Sequence, residues 1–254
     1  MRAPAQQPTV ALVTGAADGI GLALVEQLLA NPATGRVFAS TRDVARADRL
    51  SELMRTDSRL QLIEMDIHNA PQLEVAAQTM QDAGRLDLVI NTAGVLHDDA
   101  GLQPERRLAD VSATNLVRAF ETNAISTILL AKAVEPLLRA SRQPVFASLS
   151  ARVASIGDNR LGGWYAYRAS KAALNMLIKT LSIEWSRFSP GITCVALHPG
   201  TVRTALSEPF VARRDDDGVF SPARAADQLL EIVGSLQPTQ TGKFYAWDGQ
   251  EIPW

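Results

Sequence analysis

Tyr167 and Lys171 are the two side chains whose types and spacing most directly indicate acid/base chemistry. Residues four apart in a helix lie on one face, so a helix here directs the phenol and the ammonium to the same side. An unperturbed tyrosine has a pKa of about 10, and a neighbouring ammonium lowers that pKa by stabilising the phenolate. The spacing predicts a tyrosine suited to acid/base work at neutral pH. Helix packing alone produces the same spacing, so the pair also needs a suitable fold around it.

A second chemical signal is the run Thr14-Gly15-Ala16-Ala17-Asp18-Gly19-Ile20-Gly21, which follows an apolar segment and opens an amphipathic one. Glycines permit a sharp turn and close backbone approach, and the free N–H groups at the start of a helix attract phosphate. The spacing differs from the commoner Gly-x-Gly-x-x-Gly dinucleotide fingerprint. In this context the run predicts a pyrophosphate site, whereas three spaced glycines alone would equally fit an ordinary tight turn.

These residues need a scaffold, and short apolar runs that alternate with longer amphipathic ones predict parallel strands joined by helices. The predicted strands are Val10–Thr14, Arg36–Thr41, Leu60–Asp66, Leu86–Asn91, Val145–Ser150, Ile192–His198 and Lys243–Tyr245. The predicted helices are Gly19–Asn31, Ala45–Leu53, Pro71–Ala83, Ser112–Leu138, Tyr165–Phe188 and Pro222–Ser235. The expected fold class is α/β, a Rossmann-type doubly wound parallel sheet of about seven strands flanked by helices. With no linker in the sequence, residues 1–254 are expected to form a single domain.

The composition argues against two classes of partner. The formal net charge is −2, so no basic excess indicates nucleic acid or a membrane surface, and a small neutral or weakly charged substrate fits better. No stretch reaches the roughly 18 to 20 apolar residues that a membrane span requires. We therefore expect a cytoplasmic protein.

The cysteine and histidine content argues against a disulfide framework or a metal site. Cys194 is the only cysteine and lies in an apolar run, which predicts a buried structural thiol. The histidines His68, His97 and His198 are not paired at ligand spacing, so no metal is expected. His97 follows the fourth predicted strand and is expected to lie at the surface, or else to approach the site. The polar run 213–218 is expected to be an exposed loop, with the substrate entrance as an alternative role.

In their order along the chain, the motifs resemble those of the short-chain dehydrogenase/reductase family. The glycine turn has the family's spacing, Asp66-Ile67 follows the third strand, Asn91-Thr92-Ala93-Gly94 ends the fourth, and the Tyr-x-x-x-Lys motif follows the fifth. The resemblance implies an NAD(P)-binding enzyme that moves hydride between the cofactor and a carbonyl or alcohol, with Tyr167 as acid/base. It also implies a homodimer or homotetramer built on the two longest predicted helices, with a monomer as the alternative if their outer faces are polar.

The resemblance implies a catalytic serine as well, and here the sequence departs from the family. The usual serine pair at the end of the fifth strand reads Ser150-Ala151, and the commonest spacing from Tyr167 leads back to Ala154. The segment before Tyr167 is longer than usual, so simple counting is unsafe. Ser150 is the preferred candidate and Ser155 the alternative, although either hydroxyl would also suit a local cap.

Two further segments gain a role from the resemblance. Asn123 lies inside a predicted helix, where asparagine is a poor helix former. The family uses this asparagine to bind a water that connects the lysine to a proton relay; an exposed helical asparagine is the alternative. Pro199-Gly200-Thr201-Val202-Arg203-Thr204 resembles the segment that fixes the carboxamide and the pyrophosphate. The residues assigned to cofactor binding are Gly15, Asp18, Gly19, Ile20, Gly21, Arg42, Asp66, Ile67, Asn91, Ala93, Gly94, Tyr167, Lys171, Pro199, Gly200, Val202 and Thr204.

The end of the second strand bears on the choice of cofactor. An acid there binds the adenosine ribose of NAD, whereas this strand ends Ser40-Thr41-Arg42. A guanidinium suits the additional phosphate of NADP, so NADP(H) is preferred and NAD(H) remains open. Two residues weaken the preference. Asp43 would be the ribose acid if the strand register shifted by one, and Asp18 stands where many NADP enzymes carry a basic residue.

The segment from Ser155 to Lys171 and the ending Asp248–Trp254 resemble the C-factor and Sniffer-type carbonyl reductase group within the family. That resemblance implies NADPH-dependent reduction of a small-molecule carbonyl. Because C-factor proteins are associated with cell-to-cell signalling, it also raises a signalling role or a non-catalytic NADP(H) sensor as alternatives. The presence of Tyr167, Lys171 and Asn123 together favours catalysis.

Overall fold

The computed structural model describes residues 7–189, 191–212 and 218–254. Most of the polar run predicted as an exposed loop, residues 213–217, lies outside the described residues. Seven strands form one parallel sheet in the order β3-β2-β1-β4-β5-β6-β9. Their bounds are β1 Thr9–Thr14, β2 Thr34–Thr41, β3 Leu60–Glu64, β4 Leu88–Asn91, β5 Val145–Leu149, β6 Thr193–His198 and β9 Lys243–Ala246.

Helices cover both faces of this sheet. The helices are α1 Gly19–Ala30, α2 Asp48–Thr56, α3 Ala70–Thr79, α4 Ala113–Phe120, α5 Ser126–Arg139, α6 Tyr165–Phe188, α7 Glu208–Val211 and α8 Pro222–Ser235. Side chains of α3, α5 and α6 pack into one hydrophobic cluster, and those of α1, α2 and α8 pack into a second. Parallel strands buried on both faces read as near-continuous apolar runs, as β1 and β5 do. The predicted doubly wound α/β fold is confirmed.

The strand order reverses between β1 and β4. β2 and β3 are added on one side of β1, and β4 and the later strands are added on its other side. In open sheets of this type, ligands bind at the carboxyl ends of the strands beside such a reversal. The glycine turn follows β1, and the segment Thr92–Val95 follows β4 at the same edge. The topology thus brings the separate motifs of the sequence to one side of the sheet.

Several observed boundaries differ from the predicted ones by two or three residues, and the predicted helix Ser112–Leu138 differs in its interior. Its middle is a single π-helical segment, Glu121–Ile125, between α4 and α5. Wider turns of this kind break the regular ladder and are frequent at functional sites. The third strand ends at Glu64, so Asp66 lies beyond it, and the fourth begins at Leu88.

The sequence also failed to predict a second, two-stranded parallel sheet made of β7, Thr201–Val202, and β8, Val219–Phe220. Two-residue strands are too short for a periodic signal. No helix among the described residues is both long and apolar enough to cross a membrane.

Candidate active site

One cavity of about 740 Å³ lies at the carboxyl edge of the sheet and collects most of the predicted site residues. The predicted residues that line it are Gly15, Asp18, Gly19, Ile20, Gly21, Arg42, Ile67, Ala93, Gly94, Ser150, Tyr167, Lys171, Pro199 and Thr204. The predicted residues outside this lining are Asp66, Asn91, Asn123, Gly200 and Val202. The cavity therefore joins the glycine turn to the Tyr-x-x-x-Lys motif.

The glycine turn has the geometry that a pyrophosphate needs. Gly15 and Gly19 have φ values of +64° and +51°, in the left-handed region that favours glycine. A Cβ on Gly21 would lie 2.2 Å from the carbonyl oxygen of Gly15, so the third glycine is required by contact with backbone. The first turn of α1 carries no acidic residue, and the Asp18 side chain makes no capping bond. The free backbone N–H groups of the first turn of α1 are therefore suited to bind the phosphates of a dinucleotide.

Asn91 holds the ends of three neighbouring strands together. Its side chain is fully buried; Oδ1 accepts from the Thr14 hydroxyl at 2.6 Å and from the Ala93 N–H at 3.2 Å. Its Nδ2 donates to the hydroxyls of Thr127 and Ser148 at 2.8 and 3.2 Å. The side chain is therefore committed to protein groups that fix the positions of the cavity-lining backbone. Direct contact between Asn91 and a cofactor stays a prediction.

At the end of β2, two adjacent charged residues face different partners. Arg42 is exposed and lines the cavity. The Asp43 carboxylate instead accepts from the Ala45 N–H at 3.0 Å and pairs with the Arg46 guanidinium at 3.2 Å. Asp43 thus caps the short turn that follows the strand, and Arg42 is the charged side chain of this pair that lines the cavity.

Asp66 and His68 form a hydrogen-bonded chain beside the same end of the cavity. Asp66 accepts from the backbone N–H of His68 and lies 2.6 Å from its Nδ1, and the Nε2 of His68 lies 2.9 Å from the Thr122 hydroxyl. Burial opposes ionisation of Asp66, but the bonds from His68 outweigh it and hold the pKa of Asp66 below its usual value. Ile67 and His68 line the cavity, whereas Asp66 lies behind them.

Tyr167 and Lys171 both line the cavity from the first turns of α6, but their electrostatics differ from the sequence prediction. Burial raises the pKa of Tyr167 to about 12 and lowers the pKa of Lys171 to about 8. The Lys171 Nζ donates to the carbonyl oxygen of Leu149 at 2.8 Å. In the protein by itself, desolvation of the phenol thus raises the pKa of Tyr167 instead of lowering it. The lowering predicted with a bound nicotinamide stays a prediction.

Of the two candidate serines, Ser150 lines the cavity with Tyr167 and Lys171. Ser155 is buried among other partners: its hydroxyl accepts from the Asp158 N–H at 3.2 Å and lies 3.5 Å from the carbonyl oxygen of Trp254. The Ser150 hydroxyl donates to the Oδ1 of Asn175 at 2.7 Å. The position of Ser150 favours it over Ser155 as the catalytic hydroxyl, although its role stays a prediction.

Asn123 is fully buried in the π-helical segment and does not match the exposed alternative. Its amide bonds both the N–H and the carbonyl oxygen of Val95, at 2.8 and 2.9 Å, and donates to the Ser170 hydroxyl at 2.9 Å. A Cβ on Gly94 would lie 3.2 Å from Asn123 Oδ1 and 3.1 Å from Lys171 Nζ. Asn123 thus ties the loop after β4 to α6, next to the lysine.

The start of α6 is capped from a distant loop. Glu105 is buried; its Oε2 accepts from the Ala166 N–H at 3.1 Å, and its backbone carbonyl accepts from the Trp164 N–H at 2.5 Å. Trp164 has a φ of +52°, a left-handed conformation that is costly for a bulky residue. The Trp164 ring lies edge-on to the Tyr167 ring, with centroids 6.2 Å apart. Glu105 therefore fixes the turn that brings Tyr167 into place.

His97, Cys194 and His198 are the remaining residues with a sequence-based expectation. His97 is half-buried, lines the cavity and bonds the carbonyl oxygen of Leu206 through Nε2 at 3.0 Å, so the alternative of an approach to the site is the correct one. Cys194 is a buried free thiol, as predicted. Burial lowers the pKa of His198 to about 4, aided by the charge of Arg152. The described residues contain no group of three or more metal-binding side chains.

The sequence missed Glu105 and Asn175. Glu105 gives no local signal, because it caps a helix that begins 60 residues later along the chain. Asn175 did offer one: it lies one helical step of four residues beyond Lys171, on the face that carries Tyr167. A search along that face for further polar residues would have found it.

A glycine turn at a sheet reversal, joined by one cavity to a tyrosine–lysine pair, defines the class of dinucleotide-dependent oxidoreductases. The model of the family described as short chain dehydrogenase matches residues 9–215. The chain belongs to the short-chain dehydrogenase/reductase family and is an enzyme of that family.

Known relatives include carbonyl reductases. The NADPH-bound carbonyl reductase from chicken fatty liver is 28% identical, with a TM-score of 0.87 over 98% of this chain and 95% of that chain. Carbonyl reductase Sniffer of Drosophila melanogaster is 27% identical, with a TM-score of 0.86 over 98% of this chain and all of its own. C-signal of Myxococcus xanthus is 34% identical over 67% of this chain and 94% of its own. The predicted similarity to the carbonyl reductase group is confirmed.

Proposed function

We propose that the protein is an NADP(H)-dependent carbonyl reductase that converts a small-molecule carbonyl to an alcohol. The observation that carries the proposal is one continuous cavity, which is lined at one end by the glycine turn and Arg42 and at the other by Tyr167, Lys171 and Ser150. Similarity to an NADPH-bound carbonyl reductase supports the same function.

The protonation states suit reduction. When bound, the nicotinamide cofactor supplies the hydride. With a pKa of about 12, Tyr167 carries its proton at neutral pH and so has a proton to donate to the substrate oxygen, although burial also makes the phenol a weaker acid. Lys171, held by the Leu149 carbonyl, places a positive charge beside the tyrosine that stabilises the phenolate left after proton transfer. Ser150 is the hydroxyl that holds the substrate oxygen for this transfer.

The preference for NADP(H) rests on the arrangement at the end of β2. Arg42 lines the cavity, whereas the carboxylate of Asp43 is committed to the following turn and to Arg46. A guanidinium binds a phosphate monoester through paired, charge-assisted hydrogen bonds. Asp18 also lines the cavity and opposes an additional phosphate, so NAD(H) remains the alternative cofactor.

A panel of ketones and aldehydes tests the proposal. We expect the purified protein to oxidise NADPH, followed by its absorbance, with at least one member of the panel, and to form the matching alcohol. Isothermal titration of NADPH and NADH in parallel is expected to show tighter binding of NADPH. Binding without turnover on any carbonyl would indicate a cofactor sensor, and tighter binding of NADH would contradict the assigned role of Arg42.

A signalling role is the second candidate, supported by the similarity to C-signal of Myxococcus xanthus. The two candidates differ in what they require of Tyr167. A signalling activity independent of turnover would survive Tyr167→Phe, while a reductase would lose its activity. The close grouping of Tyr167, Lys171 and Ser150 around the cavity favours the reductase.

We also propose that the protein forms a homodimer or homotetramer. The outer faces of α4 and α6 expose Val117, Met176 and Ile183, with 56%, 66% and 46% of their surfaces accessible. Exposed apolar side chains on both helices favour contact with a second copy. Light scattering on the purified protein is expected to give at least twice the monomer mass, and a monomer mass at micromolar concentration would contradict this.

A further inference from the structure

The amide of Asn175 is an unsatisfied polar group next to the catalytic hydroxyl. Its side chain is buried, with 4% of the residue surface accessible, and Oδ1 accepts the hydroxyl proton of Ser150 at 2.7 Å. Its Nδ2, with two hydrogens to donate, is fully buried and has no hydrogen-bond partner among the described residues. Buried N–H donors without partners are rare in folded proteins, so this group requires an explanation.

This hydrogen bond also conflicts with the role of Ser150. A hydroxyl has a single hydrogen, and Ser150 donates that hydrogen to Asn175. A serine that gives its hydrogen to the protein has only lone pairs to offer, and a substrate carbonyl oxygen needs a donor. The family's usual second serine is absent, because position 151 is Ala. In this arrangement neither position 150 nor position 151 offers a hydroxyl hydrogen to the substrate.

A half-turn of the Asn175 amide removes the conflict at Ser150 and gives one of the two Nδ2 hydrogens a partner. The rotation exchanges Oδ1 and Nδ2 within nearly the same volume, so it requires no repacking. It places an N–H donor 2.7 Å from the Ser150 oxygen, which then accepts that bond and keeps its own hydrogen free. The atom left without a partner becomes a carbonyl oxygen, and unsatisfied carbonyl oxygens are less rare than unsatisfied N–H groups.

We propose that Asn175 is a positioning residue for the reduction: its amide N–H donates to Ser150 and thereby directs the Ser150 hydroxyl hydrogen toward the substrate oxygen. The inference rests on the proposed reductase function and explains how a site without the second serine still presents a hydroxyl donor. Asn175 lies on the same face of α6 as Tyr167 and Lys171. One helix therefore positions the proton donor Tyr167, its neighbour Lys171 and the amide that orients the Ser150 hydroxyl.

Four variants test the proposal with NADPH and a carbonyl that the parent protein reduces. Asn175→Leu removes both amide atoms at similar volume. Asn175→Asp supplies only acceptor oxygens when it is ionised, so it retains the present contact but not the proposed one. Ser150→Ala removes the hydroxyl, and Ser182→Ala is its matched control, since Ser182 in α6 is also buried, donates to the carbonyl oxygen of Lys179 and does not line the cavity. The double variant Ser150→Ala with Asn175→Leu completes a mutant cycle.

We expect Asn175→Leu, Asn175→Asp and Ser150→Ala each to lower kcat by about tenfold or more, the order of effect of losing one donor to a reacting oxygen. NADPH affinity is expected to stay within about threefold of the parent. In the Ser150→Ala background, Asn175→Leu should cost nothing further, because it acts only through the serine. Ser182→Ala should retain the parent kcat.

Three results would overturn the inference: parent-like kcat for Asn175→Asp at a pH where the carboxylate is ionised, additive losses in the cycle, or parent-like kcat for Ser150→Ala. In each case the protein would still be a reductase. Failure of the parent to reduce any carbonyl would instead contradict the proposed function. If Asn175→Leu does not fold, Asn175→Asp combined with Ser150→Ala provides the same cycle.

Discussion

The two ends of the cavity are built by different means. At the cofactor end, the backbone itself makes the site: Gly15 and Gly19 adopt left-handed conformations, and contact with a carbonyl oxygen excludes any side chain at Gly21. At the catalytic end, buried side chains make it, and each is held by a partner far away in the sequence, such as Glu105 for the start of α6 or Val95 for Asn123. We therefore expect sharp, all-or-none losses at the first end and separable, graded losses at the second.

The largest effect on stability and on cofactor binding is expected for Gly21→Ala. Its Cβ would lie 2.2 Å from the Gly15 carbonyl oxygen, a backbone atom, so the turn has to open. We expect about 3 kcal/mol of destabilisation and about a 100-fold loss of NADPH affinity, because opening the turn withdraws several N–H donors. Gly234→Ala in α8, where a new Cβ meets nothing within 4 Å, is the matched control and should retain both properties. Thermal unfolding and calorimetry measure the two quantities, and parent-like affinity of Gly21→Ala would contradict the account.

A smaller loss is expected for Glu105→Ala, which leaves the buried Ala166 N–H without an acceptor. We expect about 2 kcal/mol of destabilisation in urea unfolding, together with a lower kcat, because the turn at Trp164 and the position of Tyr167 loosen. Glu105→Gln keeps an acceptor oxygen and should recover most of both properties. Equal losses in Glu105→Gln and Glu105→Ala would show that the cap is not the cause.

Arg42→Ala is expected to affect binding of one cofactor only. Losing a charge-assisted contact to phosphate costs about 2 kcal/mol, or roughly 30-fold in NADPH affinity, with little change for NADH. Arg46→Ala removes a guanidinium from the same turn that is already paired with Asp43 and should leave both affinities unchanged. Equal weakening of the two cofactors by Arg42→Ala would remove the basis for the NADP(H) preference.

The effect that is smallest at neutral pH is that of His198, which concerns stability in acid. Its pKa is about 4 in the folded protein against an ordinary 6.5, so the unfolded chain binds more protons between these values. Stability is therefore lost as the pH falls from about 6.5 toward 4, by about 2 to 3 kcal/mol from this group. His198→Gln should flatten that part of the pH profile of urea unfolding. An unchanged slope in the variant would show that other groups dominate acid unfolding.

The contrast between a cofactor end built by backbone and a catalytic end built by buried side chains also explains what the sequence could predict. The glycine turn and the Tyr167–Lys171 pair are local patterns with a fixed backbone meaning, and the structure places both at one cavity. The raised pKa of Tyr167 was not predictable, because it depends on burial by residues from several elements. The π-helical segment around Asn123 was missed for a related reason, since a wider turn has almost the same apolar pattern as a regular helix.

Tyr167→Phe provides the most direct test of the central claim, that a tyrosine which keeps its proton at neutral pH is the acid of a reductase. The variant loses only the hydroxyl, and Tyr165→Phe, two residues earlier and 40% exposed, is the matched control. In single-turnover experiments with preloaded NADPH, we expect Tyr167→Phe to reduce the carbonyl at least about 1,000-fold more slowly, with NADPH affinity unchanged and Tyr165→Phe at the parent rate. Reduction by Tyr167→Phe at the parent rate would contradict the account.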